Sequence, residues 1–300
     1  MNPRPRLSVI IVMCACALPG RSAEPAKVTD DDLRIRGIFE SALPRTEQRK
    51  SLRLILHPHL GDLRERDYLR TALGLRYGLT RNWEATVEAD WYFSHGVKAV
   101  PFLREQGFSS WHAGSKYRLG EVWASGWECS VGADVVQPIG TPPTTVTDGL
   151  RHLSPYVTFS RQLKRWPDWR VFFGTSYDFV ENTGIVGKLK KNQLTDDAVG
   201  VSGGLLWARG AATYTLEASY ATMHSSSDNT RDILTIRPGL VWAIPPVFKF
   251  GSSGKWLLGF ALRLSDGADG VDLGASVKLR VNFDFKRLLG LKPRETAAGR

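Results

Sequence analysis

Apolar and polar residues alternate with a period of two along most of this chain, in stretches of about ten residues separated by turn-rich links. Twelve such stretches run at roughly 51–60, 68–79, 83–93, 109–119, 127–138, 152–161, 169–180, 198–208, 212–223, 232–243, 256–265 and 271–285. The last is the cleanest: Val271, Leu273, Ala275, Val277, Leu279, Val281, Phe283 and Phe285 share one face, and Asp272, Gly274, Ser276, Lys278, Arg280, Asn282 and Asp284 the other. Most of the stretches match the ~9–11 residues that a tilted strand needs to cross a bilayer, and no apolar run is long enough for a spanning helix. The pattern predicts an all-β fold: a transmembrane antiparallel up-and-down β-barrel of about twelve strands, with every second residue facing lipid.

The tryptophans sharpen this reading. Trp83, Trp127, Trp169 and Trp256 each open a stretch, whereas Trp207 and Trp242 each close one. In an up-and-down barrel all six fall at the same end, together with Tyr77, Tyr117, Tyr214, Phe283 and Phe285. A ring of amphipathic aromatics is what a headgroup interface selects. With the first strand running outward, the links at 94–108, 139–151, 181–197 and 224–231 are extracellular and long. Those at 80–82, 120–126, 162–168 and 209–211 are periplasmic and shorter, the usual barrel asymmetry. The links at 244–255 and 266–270 depart from it. Pro155 and Pro238 strain the scheme, because a closed sheet has no free edge for a residue without an N–H. A soluble β-sandwich or lipocalin-like barrel is the alternative; the even strand count, the loop asymmetry and the charged polar face count against it.

The ends divide into segments. Arg4 and Arg6, the apolar run from Leu7 to Leu18 and then Pro19-Gly20 read as an export signal over 1–23, with cleavage after Ala23 or at Gly20. A lipid attached at Cys16 is a weaker alternative. Residues 24–50 read as a periplasmic N-terminal segment in which Leu33, Ile35 and Phe39 form a short strand or helix near the mouth, 51–285 as the barrel, and 286–300 as a polar tail. Cleavage removes Arg4, Arg6 and Arg21 and no acids, so Lys and Arg fall from 40 to 37 against 30 acids, a net +7. Because these charges are scattered along strands and loops, they argue against a nucleic-acid partner. Cys129 alone survives cleavage, which leaves no intrachain disulfide.

The polar parity specifies a lumen. Arg70 and Arg76 face inward from the second strand, Glu84, Glu88 and Asp90 from the third, and His112, Lys116 and Arg118 from the fourth. Glu128 and Asp134 follow from the fifth, so that signs alternate strand by strand. Arg76, Glu84, Arg118 and Glu128 are expected to form a lateral row of ion pairs near the periplasmic end. Arg237, Arg263, Lys278 and Arg280 form a basic wall with Asp272 and Asp284 as local acids. Such walls either set a transverse field that selects charged or dipolar solutes or simply fill a small interior with paired side chains. Twelve strands lie between a filled barrel and an aqueous channel.

Catalytic and metal chemistry leave little trace. His152-Leu153-Ser154 has the His-x-Ser spacing of a twelve-stranded outer-membrane phospholipase, but its parity is lumenal and no orienting Asn or Asp is evident on the next strand. His57 and His59 share a face without a third ligand nearby, so they read as lumen rather than metal site. Neither a cofactor nor a metal is expected. Gly203-Gly204 reads as a bend or close-packing point.

The run Tyr68–Trp91, YLRTALGLRYGLTRNWEATVEADW, resembles the outer-membrane β-barrel transporters grouped with the meta-pathway phenol-degradation proteins, in which an R-Y-G-L-T strand end, a short turn and a W-E strand start recur. Phe39-Glu40-Ser41-Ala42-Leu43-Pro44 resembles their lead-in segment. The C-terminal strand resembles a barrel-assembly signal through Phe283-Asp284-Phe285, with Arg280 in place of a frequent glycine and further residues beyond the aromatic. The resemblance implies a transporter, often supposed to carry hydrophobic compounds. The expectation is therefore a bacterial outer-membrane pore or transporter for small molecules, with no enzymatic step. Its partners would be outer-membrane lipid, lipopolysaccharide held by Lys98, Arg104, Lys188, Lys190 and Lys191, the barrel-assembly machinery, and a small-molecule solute. A structural or adhesive barrel with a filled lumen is the alternative, and an acyl hydrolase stands behind it.

Overall fold

A computed structural model describes residues 41–60, 69–93, 106–122, 126–139, 149–184, 196–223, 231–245, 256–268 and 270–283. The export signal, Leu33, Ile35, Phe39, the long-link lysines and arginines, Asp284, Phe285 and the tail lie outside them, as do the side chains of His59, Arg70, Asn282 and Phe283. Twelve strands follow in chain order: β1 Leu52–Leu60, β2 Leu69–Gly78, β3 Trp83–Phe93, β4 Gln106–Val122, β5 Trp127–Pro138, β6 Leu150–Gln162, β7 Trp169–Asn182, β8 Ala198–Arg209, β9 Ala212–Met223, β10 Arg231–Ala243, β11 Trp256–Gly267 and β12 Gly270–Phe283. Each pairs antiparallel with its neighbours in sequence, and β12 returns to β1 to close the barrel. Closure removes the sheet edge, as a lipid-facing sheet requires.

The alternation explains why the sheet closes with its apolar face outward. Leu73, Leu75, Val87, Val201, Leu216, Phe260 and Leu262 are all exposed on the outer surface, Val87 by 59%. The alternate, inward-facing positions of the strands carry buried charges, including Glu84, Lys116, Arg170, Glu217 and Arg280. A soluble sandwich would reverse this distribution. Tyr77, Trp83, Tyr117 and Tyr214 are exposed at the end bearing the short turns. Trp169, Trp207 and Tyr214 stack in sequence across β7, β8 and β9, at centroid distances of 5.6 and 5.3 Å. Trp127 meets Phe173 edge-on, and Trp83 donates from Nε1 to Ser115 Oγ at 2.7 Å. Trp242 and Trp256 are half-buried at the same end.

Strand β4 runs past its sequence-predicted span at both ends, with register shifts at Asp90/Trp91 and Arg118/Gly120 marking bulges on its two seams. Both awkward prolines are held within strands by breaking one ladder each. Pro155 stays in register with Ala133 of β5, whereas the β6–β7 ladder skips from Leu153–Phe179 to Tyr156–Ser176. Pro238 stays opposite Leu216 of β9, and the β10–β11 ladder skips from Ile236–Leu264 to Gly239–Ala261. Pro58 does the same at the closing seam, between Leu56–Leu279 and His59–Ser276. The missing N–H points at the broken side in each case.

Candidate functional site

Residues 41–50 run inside the barrel as an extended strap, whereas Leu33, Ile35 and Phe39, where a short strand or helix is expected, lie outside the described residues. Ser41 N–H donates to Glu217 Oε2 of β9 at 3.2 Å, and Thr158 Oγ1 of β6 donates to the Ala42 carbonyl at 2.7 Å. Lys116 Nζ of β4 donates to the Leu43 carbonyl at 2.8 Å. Arg45 pairs with Glu128 of β5 at 2.9 Å, and Glu47 with Arg53 of β1 at 3.0 Å. Glu47 N–H also donates to Glu84 of β3 at 2.7 Å. The strap leaves the lumen at the rim, where Arg49 bridges Gly78 and Lys50 N–H donates to the Gly78 carbonyl. Its apolar residues are used too. Leu43 packs against Phe172, Leu206, Val241, Ala261 and Leu257, inward-facing residues of β7, β8, β10 and β11, and Pro44 is fully buried. Burying one leucine side chain is worth about 2 kcal/mol.

Gly78 explains why the strap fits. A Cβ there would lie 2.1 Å from the Gln48 carbonyl oxygen, so only a glycine lets the backbones meet. The Arg76–Glu84 run thus supplies the seat: Gly78 provides clearance, Thr80 Oγ1 accepts from the Asn82 and Trp83 amides to hold the turn, and Glu84 receives the strap.

The charges of the interior pair differently from a single lateral row. Glu84 pairs with Lys116, its register partner, at 3.0 Å, and Arg76 reaches Glu88 at 3.7 Å. Arg118 does meet Glu128, at 2.7 Å. The row breaks between Glu84 and Arg118 because Glu84 lies opposite Lys116 in the β3–β4 register. Glu128 instead gathers three guanidinium groups, those of Arg45, Arg118 and Arg170. On the far wall Arg263 pairs with Asp272. Arg237 lies opposite Glu217 in register, an acid that parity on β9 exposes but that the basic-wall reading omitted. Lys278 and Arg280 are buried on β12, and Arg70 sits in β2 opposite His59 and Tyr92.

Beyond Ala42 the lumen keeps a cavity of about 300 Å³. Arg76, Glu88, Asp90, His112, Asp134 and Lys278 are among the side chains that line it. Asp134 and Tyr156 enter it through room made by glycines: a Cβ on Gly114 would lie 2.1 Å from the Asp134 carboxylate, and one on Gly132 2.5 Å from the Tyr156 ring.

Two Asp–His–Ser clusters stand farther toward the long-link end. His112 Nε2 lies 3.0 Å from Asp90, which also accepts from Ser110. His152 Nδ1 lies 2.8 Å from Asp178 Oδ2, and Ser154 Oγ donates to Asp178 Oδ1 at 2.6 Å. Asp178 is the acid on the next strand that the sequence did not reveal. It accepts from the serine directly, so the serine proton goes to the carboxylate and not to the imidazole, unlike a nucleophile–base pair. His57 lines the cavity with its neighbours, and Cys129 is a buried free thiol. Among the described residues no cluster of three His, Cys, Asp or Glu side chains is arranged to hold a metal.

No protein-family model matches the chain, and no curated protein matches it. Solved structures do. An outer membrane channel from Pseudomonas putida superposes with a TM-score of 0.54 at 9% identity, over 80% of this chain and 98% of that one. The KdgM porin matches with a TM-score of 0.47 at 9% identity, over 77% and 99%, and the NanC porin with 0.44 at 12%, over 78% and 99%. At such identities the likeness is one of fold: this chain has the closed-barrel architecture of outer-membrane channels.

Proposed function

We propose that the protein is a bacterial outer-membrane pore or transporter for small molecules, held closed in this conformation by residues 41–50. The observation that carries this reading is the strap itself. It crosses a polar lumen, is held by strands all round the barrel, and leaves a solute-sized cavity above it. The exposed aromatics Tyr77, Trp83, Tyr117 and Tyr214, with Trp127, Trp169, Trp207, Trp242, Trp256, Phe283 and Phe285, serve as its periplasmic-side membrane girdle. Loop cations such as Lys98 and Lys190 serve as contacts for lipopolysaccharide phosphates. Strand β12 is the element that the barrel-assembly machinery reads.

The transporter resemblance implies hydrophobic solutes, whereas the cavity supports polar ones. An apolar occupant would strand Arg76, Glu88, Asp134 and Lys278 away from water at a cost of several kcal/mol. Hydrophobic compounds would need a path that avoids this cavity. A second reading, a structural barrel with a filled lumen, is favoured by the buried contacts of Leu43 and Pro44. Liposome swelling separates the two. Replacing Arg45 and Glu47 together by alanine removes two charged anchors of the strap, and uptake of small polar solutes should rise several-fold over that of the intact protein. Equal, negligible uptake by both folded proteins supports the filled barrel.

A further inference from the structure

The lining of the cavity above the strap changes sign from one arc of the barrel to the next. Glu88, Asp90 and Asp134 stand on β3 and β5, Arg76 stands on the neighbouring β2 within reach of Glu88, and Lys278 stands farther round on β12. In the closed strand order β5 and β12 are five neighbours apart, close to diametrically opposed. Arg76 reaches Glu88, Lys116 pairs with Glu84 at the floor, and His112 pairs with Asp90. Asp134 is different: it forms no hydrogen bond or ion pair with any described residue, and its carboxylate lines the cavity with one oxygen packed against the bare Gly114 backbone. Arg76 Nε, three strands away on β2, is buried without an acceptor among the described residues.

Counting Lys116 and Glu84, three cations and four carboxylates line this space. A free anion would face the carboxylates, and a simple cation would face Arg76 and Lys278. An apolar molecule would satisfy neither sign of charge. A molecule with no net charge but separated poles satisfies both. The volume of about 300 Å³ holds a solute of amino-acid size with a few waters, each occupying about 30 Å³.

We propose that this cavity is a binding site for a small zwitterion of amino-acid size, its ammonium held by Asp134 and its carboxylate by Arg76 and Lys278. This names the solute class of the transport reading and rests on it. Tyr156, whose ring lies over Gly132, closes the Asp134 side, and His112 is fixed by Asp90 beside it. The site thus discriminates by charge separation rather than by shape, through charge-assisted hydrogen bonds at both poles.

Calorimetric titration of the folded full-length protein in detergent tests this, with L-alanine, acetate, methylammonium and phenol as probes. L-alanine should bind saturably and about tenfold more tightly than acetate or methylammonium, each of which reaches one pole only. Asp134→Asn should cost about tenfold in L-alanine affinity, and Asp134→Glu should restore part of it. Heat-modified gel mobility establishes that each variant is folded. Phenol binding as tightly as L-alanine, no saturable L-alanine binding, or L-alanine affinity unchanged in folded Asp134→Asn would each overturn the site. Conductance of these preparations beside the Arg45 and Glu47 double-alanine variant, whose strap is loosened, keeps the two readings apart. Current from the Arg45 and Glu47 double-alanine variant without L-alanine binding removes the site and leaves the pore, whereas Asp134-dependent binding with no current even from that variant supports the site and removes the pore.

Discussion

At the scale of single residues, the decisive positions are those where a side chain is absent. Gly78, Gly114 and Gly132 each face an atom that a Cβ would strike: the Gln48 carbonyl, the Asp134 carboxylate and the Tyr156 ring. The first is a backbone contact and has no flexible end to move. Gly78→Ala should therefore dislodge the strap and lower stability by about 1–3 kcal/mol. The check is the temperature at which the folded band disappears in detergent gels, together with protease cleavage near residue 48. An unchanged transition and a protected strap would mean that the close approach is not required. Parity along the strands made Glu84, Glu88, Lys116 and Arg118 legible in the sequence as polar-face residues. Asp178 was not legible, because its meeting with His152 and Ser154 depends on the β6–β7 register, which a single sequence does not contain. Nor was the Glu84–Lys116 pairing that breaks the expected ion-pair row.

At the scale of elements, strict alternation placed the strands to within a few residues, since only a period of two keeps lipid on one face and charge on the other. It missed the length of β4, where bulges shift the register without changing composition. The prolines show how a closed sheet admits a residue without a donor: each sacrifices one ladder and keeps the other. Pro155→Ala restores an N–H toward β7 and should stabilise the barrel by about 1 kcal/mol, read as a higher transition in urea. A loss of stability would show that the fixed proline backbone matters more than the missing hydrogen bond.

At the scale of the whole molecule, the sequence outlined a barrel but not what lies within it. Residues 41–50 carry no periodicity, and their partners are remote, Glu217 being 176 positions from Ser41. Such contacts follow from closure, not from local pattern. Phe39–Pro44 was set apart only by resemblance, which gave the segment no position in the lumen. On the proposed reading its location makes a barrel of intermediate width a gated one, in which the strap moves for a solute to pass and the anchors Glu84, Lys116 and Glu128 set the resistance. Planar-bilayer conductance tests this most directly, comparing the protein without residues 1–23 and a variant that also lacks 24–47. The strap predicts rare, small current steps from the longer protein and frequent steps several-fold larger from the shorter one. Identical conductance from two demonstrably folded barrels would contradict it.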